Sequence, residues 1–152
     1  MKSESHVYSI DDLERDGTTP WDGVRNYQAR NFMRDEMKLN DLVLYYHSNS
    51  DPTGIAGLAK VSQEAYPDAT QFDRNSKYFD KKATLERPRW QLVDLAFVEK
   101  FERVITLAEL KEQSALADML VVQKGQRLSV QPVAKEHMKF ILKFAKAKTR
   151  VR

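Results

Sequence analysis

The chain has 152 residues, 41% hydrophobic and 31% charged, enough apolar material for the core of one domain and too much for a disordered or low-complexity chain. Cysteine is absent, which excludes disulfide scaffolds, thiol nucleophiles, iron–sulfur clusters and cysteine-ligated zinc. The formal charge of +3 permits a nucleic-acid partner without requiring one.

Ser9 can cap a short helix, with Asp12 three residues on to complete a capping box. Gly17 to Pro20 reads as a break, and a second helical stretch is expected from about Asn26 to Met37, with Tyr27, Phe32 and Met33 as its apolar contacts. Leu42 to His47 reads as a buried strand and Asn49 to Gly54 as a turn. Ile55 to Val61 reads as a further strand, in which Gly57 and Ala59 leave room for close packing. From Tyr66 to Arg89 the chain is polar and long for a loop in a compact domain; Tyr66, Phe72, Tyr78 and Phe79 should anchor it as an ordered excursion. Trp90 to Phe101 alternates as a long strand, and Thr106 with Glu109 forms another capping box. Leu120 to Val122 and Leu128 to Val133 read as strands around a turn at Lys124-Gly125. Ala134 to Lys146 reads as an amphipathic helix striped by Met138, Ile141, Leu142 and Ala145. Short strands among capped helices, without βαβ alternation, predict an α+β fold: a curved sheet or barrel with helices around it. One domain over 1–148 and a basic tail over 149–152 are expected.

No apolar run approaches the roughly 18 residues of a membrane span, and the polar MKSESH start does not read as a signal peptide. A cytoplasmic location away from membranes is expected. His6, His47 and His137 lack metal-ligand spacing, and phosphate-loop, nucleophile-elbow and zinc-protease motifs are absent. Neither a metal nor a cofactor is expected, and an enzyme is the weaker class of function.

The most specific stretch is Trp21-Asp22-Gly23-Val24-Arg25-Asn26-Tyr27-Gln28-Ala29-Arg30-Asn31. It joins an aromatic ring to a segment dense in Arg, Asn and Gln, whose paired donors and acceptors suit planar ligands. Helical spacing would put Arg25, Gln28 and Asn31 on one face. Spacing alone favours, for most of this set, the reading that makes Trp21 a core anchor and the polar residues a surface. In Tyr45-Tyr46-His47-Ser48-Asn49, alternation puts Tyr46 and Ser48 opposite Tyr45 and His47.

These two blocks carry a resemblance that extends through Lys2-Ser3-Glu4, Tyr8 to Leu13, Tyr66-Pro67-Asp68, Thr70 to Asp73 and Arg127 to Val133. Over nearly its full length the chain resembles the EVE domain family, part of the PUA-like group that includes the YTH domains. Compact forms of this kind resemble bacterial members. The chain departs from the family pattern at Ser5, where proline is usual, and in the apolar strand that usually leads into Lys-Ser-Glu.

The resemblance implies a PUA-like curved β-barrel flanked by short helices, and a binding module without chemistry of its own. It implies recognition of a modified base, chiefly a modified cytosine in DNA rather than RNA, flipped into a pocket. Trp21 would then offer the stacking surface, and Lys2, Ser3, Arg25, Asn26, Tyr46, His47, Ser48 and Ser129 would line the pocket. Arg30, Arg34 and Arg127 would contact phosphates. The modest net charge points to one base rather than a long duplex tract. A small-molecule or nucleotide sensor using the same pocket, and a reader of modified RNA, are the competing readings. The basic stretch Lys143 to Arg152 is expected to lie outside recognition.

Overall fold

The structure, a computed structural model, describes residues 1–151. Among these, five strands form one sheet in the order β1-β3-β4-β5-β2. They are β1 (Lys2–Glu4), β2 (Thr18–Pro20), β3 (Leu42–Ser48), β4 (Gly54–Pro67) and β5 (Gln91–Thr106). β1 runs parallel to β3, and the other pairings are antiparallel. β4 and β5 have 14 and 16 residues, against the usual five or so. Their register shifts repeatedly, between Ile55 and Gly57, Leu58 and Ala59, Val61 and Gln63, and Gln63 and Tyr66. Each shift adds bend and twist, and together they curl the sheet into a half-barrel. At Gly57 a Cβ would stand 2.4 Å from the Glu99 carbonyl oxygen, so glycine lets the two long strands approach.

Helices cover both faces. On one, α1 (Ile10–Asp16) and α2 (Tyr27–Asp35) bury Ile10, Leu13, Ala29 and Met33 against Val43, Tyr45, Val93 and Leu95. On the other, α3 (Leu107–Glu112) and α4 (Lys135–Phe144) bury Leu110, Met138, Ile141 and Leu142 against Leu44, Tyr46, Ile55, Leu58 and Ile105. Alternation along β3 thus sends Tyr45 to one core and Tyr46 to the other. Both expected capping boxes close, Ser9 with Asp12 and Thr106 with Glu109. This is the α+β curved sheet with flanking helices expected from the sequence. No helix among the described residues is long and apolar enough to cross a membrane.

The structure corrects several local expectations. Thr18–Pro20 is a strand, antiparallel to Leu95 and its neighbours, rather than a break; Pro20 is tolerated because β2 lies at the sheet edge. Lys2–Glu4 does pair, in register with Tyr46–Ser48. Leu120–Val122 is a 3-10 turn, and residues 128–133 form no strand. The Ser129 carbonyl accepts one bond from Lys2 N–H, but Gln131 folds back onto the Leu128 carbonyl and Pro132 has no N–H to extend a ladder. Tyr27 is 46% exposed rather than packed in the core. The chain's end is held as far as Val151. The Glu99 carboxylate accepts from Lys148 N–H, Thr149 N–H and the Thr149 hydroxyl at 2.7–2.9 Å, and Val151 packs on the second core. Arg152, the last residue of the expected tail, lies outside the described residues.

Candidate functional site

Both edge strands contribute to one cleft of about 430 Å3, at the seam of the half-barrel. Lys2 and Ser3 come from β1, and Thr19 and Pro20 from β2. The turn Trp21–Arg25 follows β2 directly, and Val7, Tyr8, Tyr78 and Ser129 complete the walls. The volume is that of a small-ligand site. A larger hollow of about 650 Å3 lies between the start of β3, α2 and the chain's end. It holds none of the candidate residues, and its walls mix Glu36 and Asp41 with Lys135 and Arg150.

Trp21 serves the core and the cleft together. It is only 9% exposed and belongs to the first core cluster. Its backbone N–H donates to the Val93 carbonyl at 2.9 Å. Behind it Tyr45 meets the indole edge-on, with ring centroids 5.5 Å apart. Tyr45 is wholly buried; burial pushes its hydroxyl well above the ordinary tyrosine range, and that hydroxyl donates to the Tyr8 carbonyl at 2.7 Å.

The opposite wall comes from the 66–89 excursion, and a buried polar network holds it there. Asp68 is fully buried. Its carboxylate accepts from Gly23 N–H at 2.8 Å, Arg25 Nη1 at 3.1 Å, Thr70 N–H at 2.9 Å and the Thr70 hydroxyl at 2.6 Å. Burial opposes its ionisation, but the bonds from Thr70, Gly23 and Arg25 outweigh burial and hold the carboxyl below its usual range. Arg25 also donates to the Tyr78 carbonyl from Nε and Nη2, to the Val24 carbonyl and to the Thr70 hydroxyl. Its guanidinium lies 5.4 Å from the Tyr78 ring centroid and 5.3 Å from that of Trp90. Gly23, at φ +82°, lies under the Tyr78 ring, where a Cβ would come within 2.5 Å of it. Gln71, also fully buried, accepts from Arg89 N–H and Trp90 N–H and donates to the Asp68 and Trp90 carbonyls. The excursion is therefore pinned by Asp68, Arg25 and Gln71; of its expected apolar anchors, Phe79 is exposed.

Of the residues expected to line a pocket, the structure brings together Lys2, Ser3, Trp21, Arg25 and Ser129. Arg25 precedes α2 rather than lying on it, and all its N–H groups serve the Tyr78, Val24, Asp68 and Thr70 bonds, so it shapes the cleft without a donor to spare. Asn26 caps α2, its side chain accepting from Ala29 N–H. Tyr46 points into the second core. His47 is buried, and its Nε2 accepts from Ile10 N–H at 3.1 Å, where α1 begins. Ser48 ends β3 opposite Glu4. Tyr46, His47 and Ser48 miss the cleft because β3 lies inside the sheet, covered on both faces.

The arginines expected at phosphates are dispersed. Arg30 donates to the Arg89 carbonyl and lies 4.7 Å from the Tyr27 ring centroid, while Tyr27 stacks on Trp90 at 4.9 Å. Arg34 is exposed and pairs with Asp35. Arg127 is exposed, two residues from Ser129 at the cleft. Sequence reasoning passed over Asp22, Tyr8 and Thr19 in the walls. Asp22 lies inside the most specific block, and that position was its one signal. Among the described residues no group of three His, Asp or Glu is placed to hold a metal ion.

His47 carries a pH prediction. Burial, chiefly, lowers its pKa below the ordinary 6.5, and the bond from Ile10 requires a neutral ring. As pH falls, the unfolded chain binds this proton first. The stability His47 contributes is present above pH 6.5 and lost as pH falls from there through the lower folded value. Denaturant unfolding from pH 7 to pH 5 should show this loss, and His47→Gln should flatten it.

The sequence model of the EVE domain matches residues 1–144. Human thymocyte nuclear protein 1 is 46% identical over 145 residues, which cover 89% of this chain and 64% of that protein. The chain thus spans less than two thirds of the length of this relative. A crystal structure of a Pseudomonas syringae protein superposes with a TM-score of 0.91 at 49% identity, covering 95% of this chain and 97% of the other. The human THYN1 protein, whose crystal structure is in complex with 5-methylcytosine containing DNA, superposes with a TM-score of 0.86 at 43% identity, over 98% of this chain and 97% of the other. With its model matched across nearly the whole length, this chain belongs to the EVE domain family.

Proposed function

We propose that the chain binds DNA and receives one modified base, 5-methylcytosine, turned out of its stack into the cleft at the half-barrel seam. The observation that carries the reading is the cleft itself: an indole backed by Tyr45 on one side and the pinned Tyr78 on the other, at the open edge of the sheet. The human relative in complex with 5-methylcytosine containing DNA supports the ligand class. Aromatic walls suit a planar base, because stacking contributes about 1–3 kcal/mol. Ser3, Ser129 and Lys2 stand where polar atoms of the base edge would meet them. Arg127, exposed close to Ser129, is the best placed of the three arginines for a flanking phosphate, while Arg30 acts mainly in the Tyr27–Trp90 stack.

Binding of oligonucleotides that differ only in one 5-methyl group tests the reading. The methylated strand should bind more tightly, and affinity should fall as salt rises, with a log–log slope of about −0.7 to −0.9 per phosphate contacted. Equal affinity for both strands would refute it. Tight binding of the free nucleoside with no salt slope would favour a nucleotide sensor.

A further inference from the structure

Resting on the base-binding reading above, we propose that Asp22 selects the base in the cleft by accepting a hydrogen bond from an exocyclic amine. The cleft would then take 5-methylcytosine and reject thymine, which carries the same methyl group.

The polar groups of the walls point to this residue. Arg25 has spent its donors on the protein, and the Tyr8 hydroxyl donates to Asp16 at 2.7 Å. Lys2 keeps donors beyond its 3.3 Å bond to the Gln126 carbonyl, Ser3 donates only in a long 3.4 Å bond to the Glu4 carbonyl, and Ser129 presents a hydroxyl. Among the described residues, Asp22 is the only one to bring a carboxylate to the cleft. It is exposed, no residue among those described donates a side-chain hydrogen bond to it, and Arg25 and Lys77 act on it only through their charge. The cleft therefore offers one anionic acceptor and several donors. The pairing edge of cytosine runs amine donor, ring-nitrogen acceptor, carbonyl acceptor, which is the complement. Thymine replaces the amine with a carbonyl, which would face the carboxylate as acceptor against acceptor.

Asp22 is also held in position. The preceding residue is tied by Trp21 N–H to Val93, and the following one by Gly23 N–H to Asp68. These bonds hold the Asp22 backbone at the cleft wall, and a site built for a donor discriminates strongly against an analogue that lacks it. Although the residue as a whole is exposed, partial desolvation of its carboxyl against the cleft wall, and then the nearby charge of Asp68, hold that carboxyl above its ordinary value. A donor from the ligand would relieve that cost.

The experiment measures binding of one duplex series with cytosine, 5-methylcytosine or thymine opposite an abasic site, so that the unpairing cost is alike. The proteins are the unaltered chain, Asp22→Asn and Asp22→Ala, each checked for folding by thermal melting. The unaltered chain should prefer 5-methylcytosine to thymine by about ten- to a hundredfold. Asp22→Ala should lose most of the affinity for 5-methylcytosine and bind thymine as well as or better than the unaltered chain, because the opposing acceptor is gone. Asp22→Asn, whose amide can either accept or donate, should bring the ratio close to one. If both variants keep the original ratio, or weaken the two ligands equally, the selection role is overturned while base binding stands. If the unaltered chain does not distinguish 5-methylcytosine from cytosine, the base-binding reading falls, and the role of Asp22 with it.

Discussion

Replacing Asp68 with alanine should destabilise the protein by about 3–5 kcal/mol, as expected when one partner of a buried ion pair is removed. The carboxylate is fully buried, and the Arg25 side chain is 22% exposed. The substitution removes four accepted bonds and leaves Arg25 and Gly23 N–H facing a cavity. Because Arg25 also holds the Tyr78 carbonyl, the loss should spread to the cleft wall. Hydrogen exchange over 69–89 should rise before the rest of the domain unfolds, and ligand binding should fall with it. Asp68→Asn keeps the volume but turns an amide toward donors, and should recover little. Acid should act in the same direction. The folded pKa is held below 3.8, so the stability Asp68 contributes is fully present above 3.8 and lost as pH falls from there through the lower folded value. Denaturant midpoints of the two variants would check this. A loss under 1 kcal/mol would mean that the network is not what pins the excursion.

The second large effect is at Trp21. Trp21→Ala should lose about 3–5 kcal/mol of stability, the usual range for deleting a buried aromatic, because the indole packs on Tyr45 and the first core. Binding should be lost with it, so alanine cannot separate the two roles. Trp21→Phe separates the roles. It keeps a ring against Tyr45, so the loss of stability should be smaller, while the cleft loses part of its stacking surface and affinity should drop severalfold. Tyr45→Phe is the matched control. It removes the bond to the Tyr8 carbonyl, at about 1 kcal/mol, from behind the indole and leaves the stacking surface in place, so binding should fall less than in Trp21→Phe. Melting temperatures and affinities for the methylated oligonucleotide across these variants give the test. Unchanged affinity in folded Trp21→Phe would remove Trp21 from the binding surface.

What could be read from the sequence was what neighbours along the chain decide. Both capping boxes, the alternation of Tyr45 and Tyr46 between two faces, the stripe on α4 and the helix after Asn26 depend on residues within about one or two turns or strand steps. Those patterns survive folding because the backbone geometry that creates them is local. The tertiary structure decided which strand edges stay open and which donors remain free. Thr18–Pro20 became a strand only because Leu95 and its neighbours lie alongside it. Residues 128–133 did not, because Gln131 and Pro132 interrupt the pairing that Ser129 begins. Arg25 looks like a ligand-binding fork in the sequence, yet its bond to Asp68, 43 positions away, turns it into a brace. Tyr46, His47 and Ser48 look like a pocket rim, yet β3 lies between β1 and β4 with a core on each face. Asp22 does not stand out in the sequence, and only the convergence of β1, the end of β2 and the pinned excursion puts its carboxylate in the cleft. A polar side chain becomes available to a ligand when no distant group has satisfied it, and that depends on contacts spread along the whole chain rather than on the residues beside it.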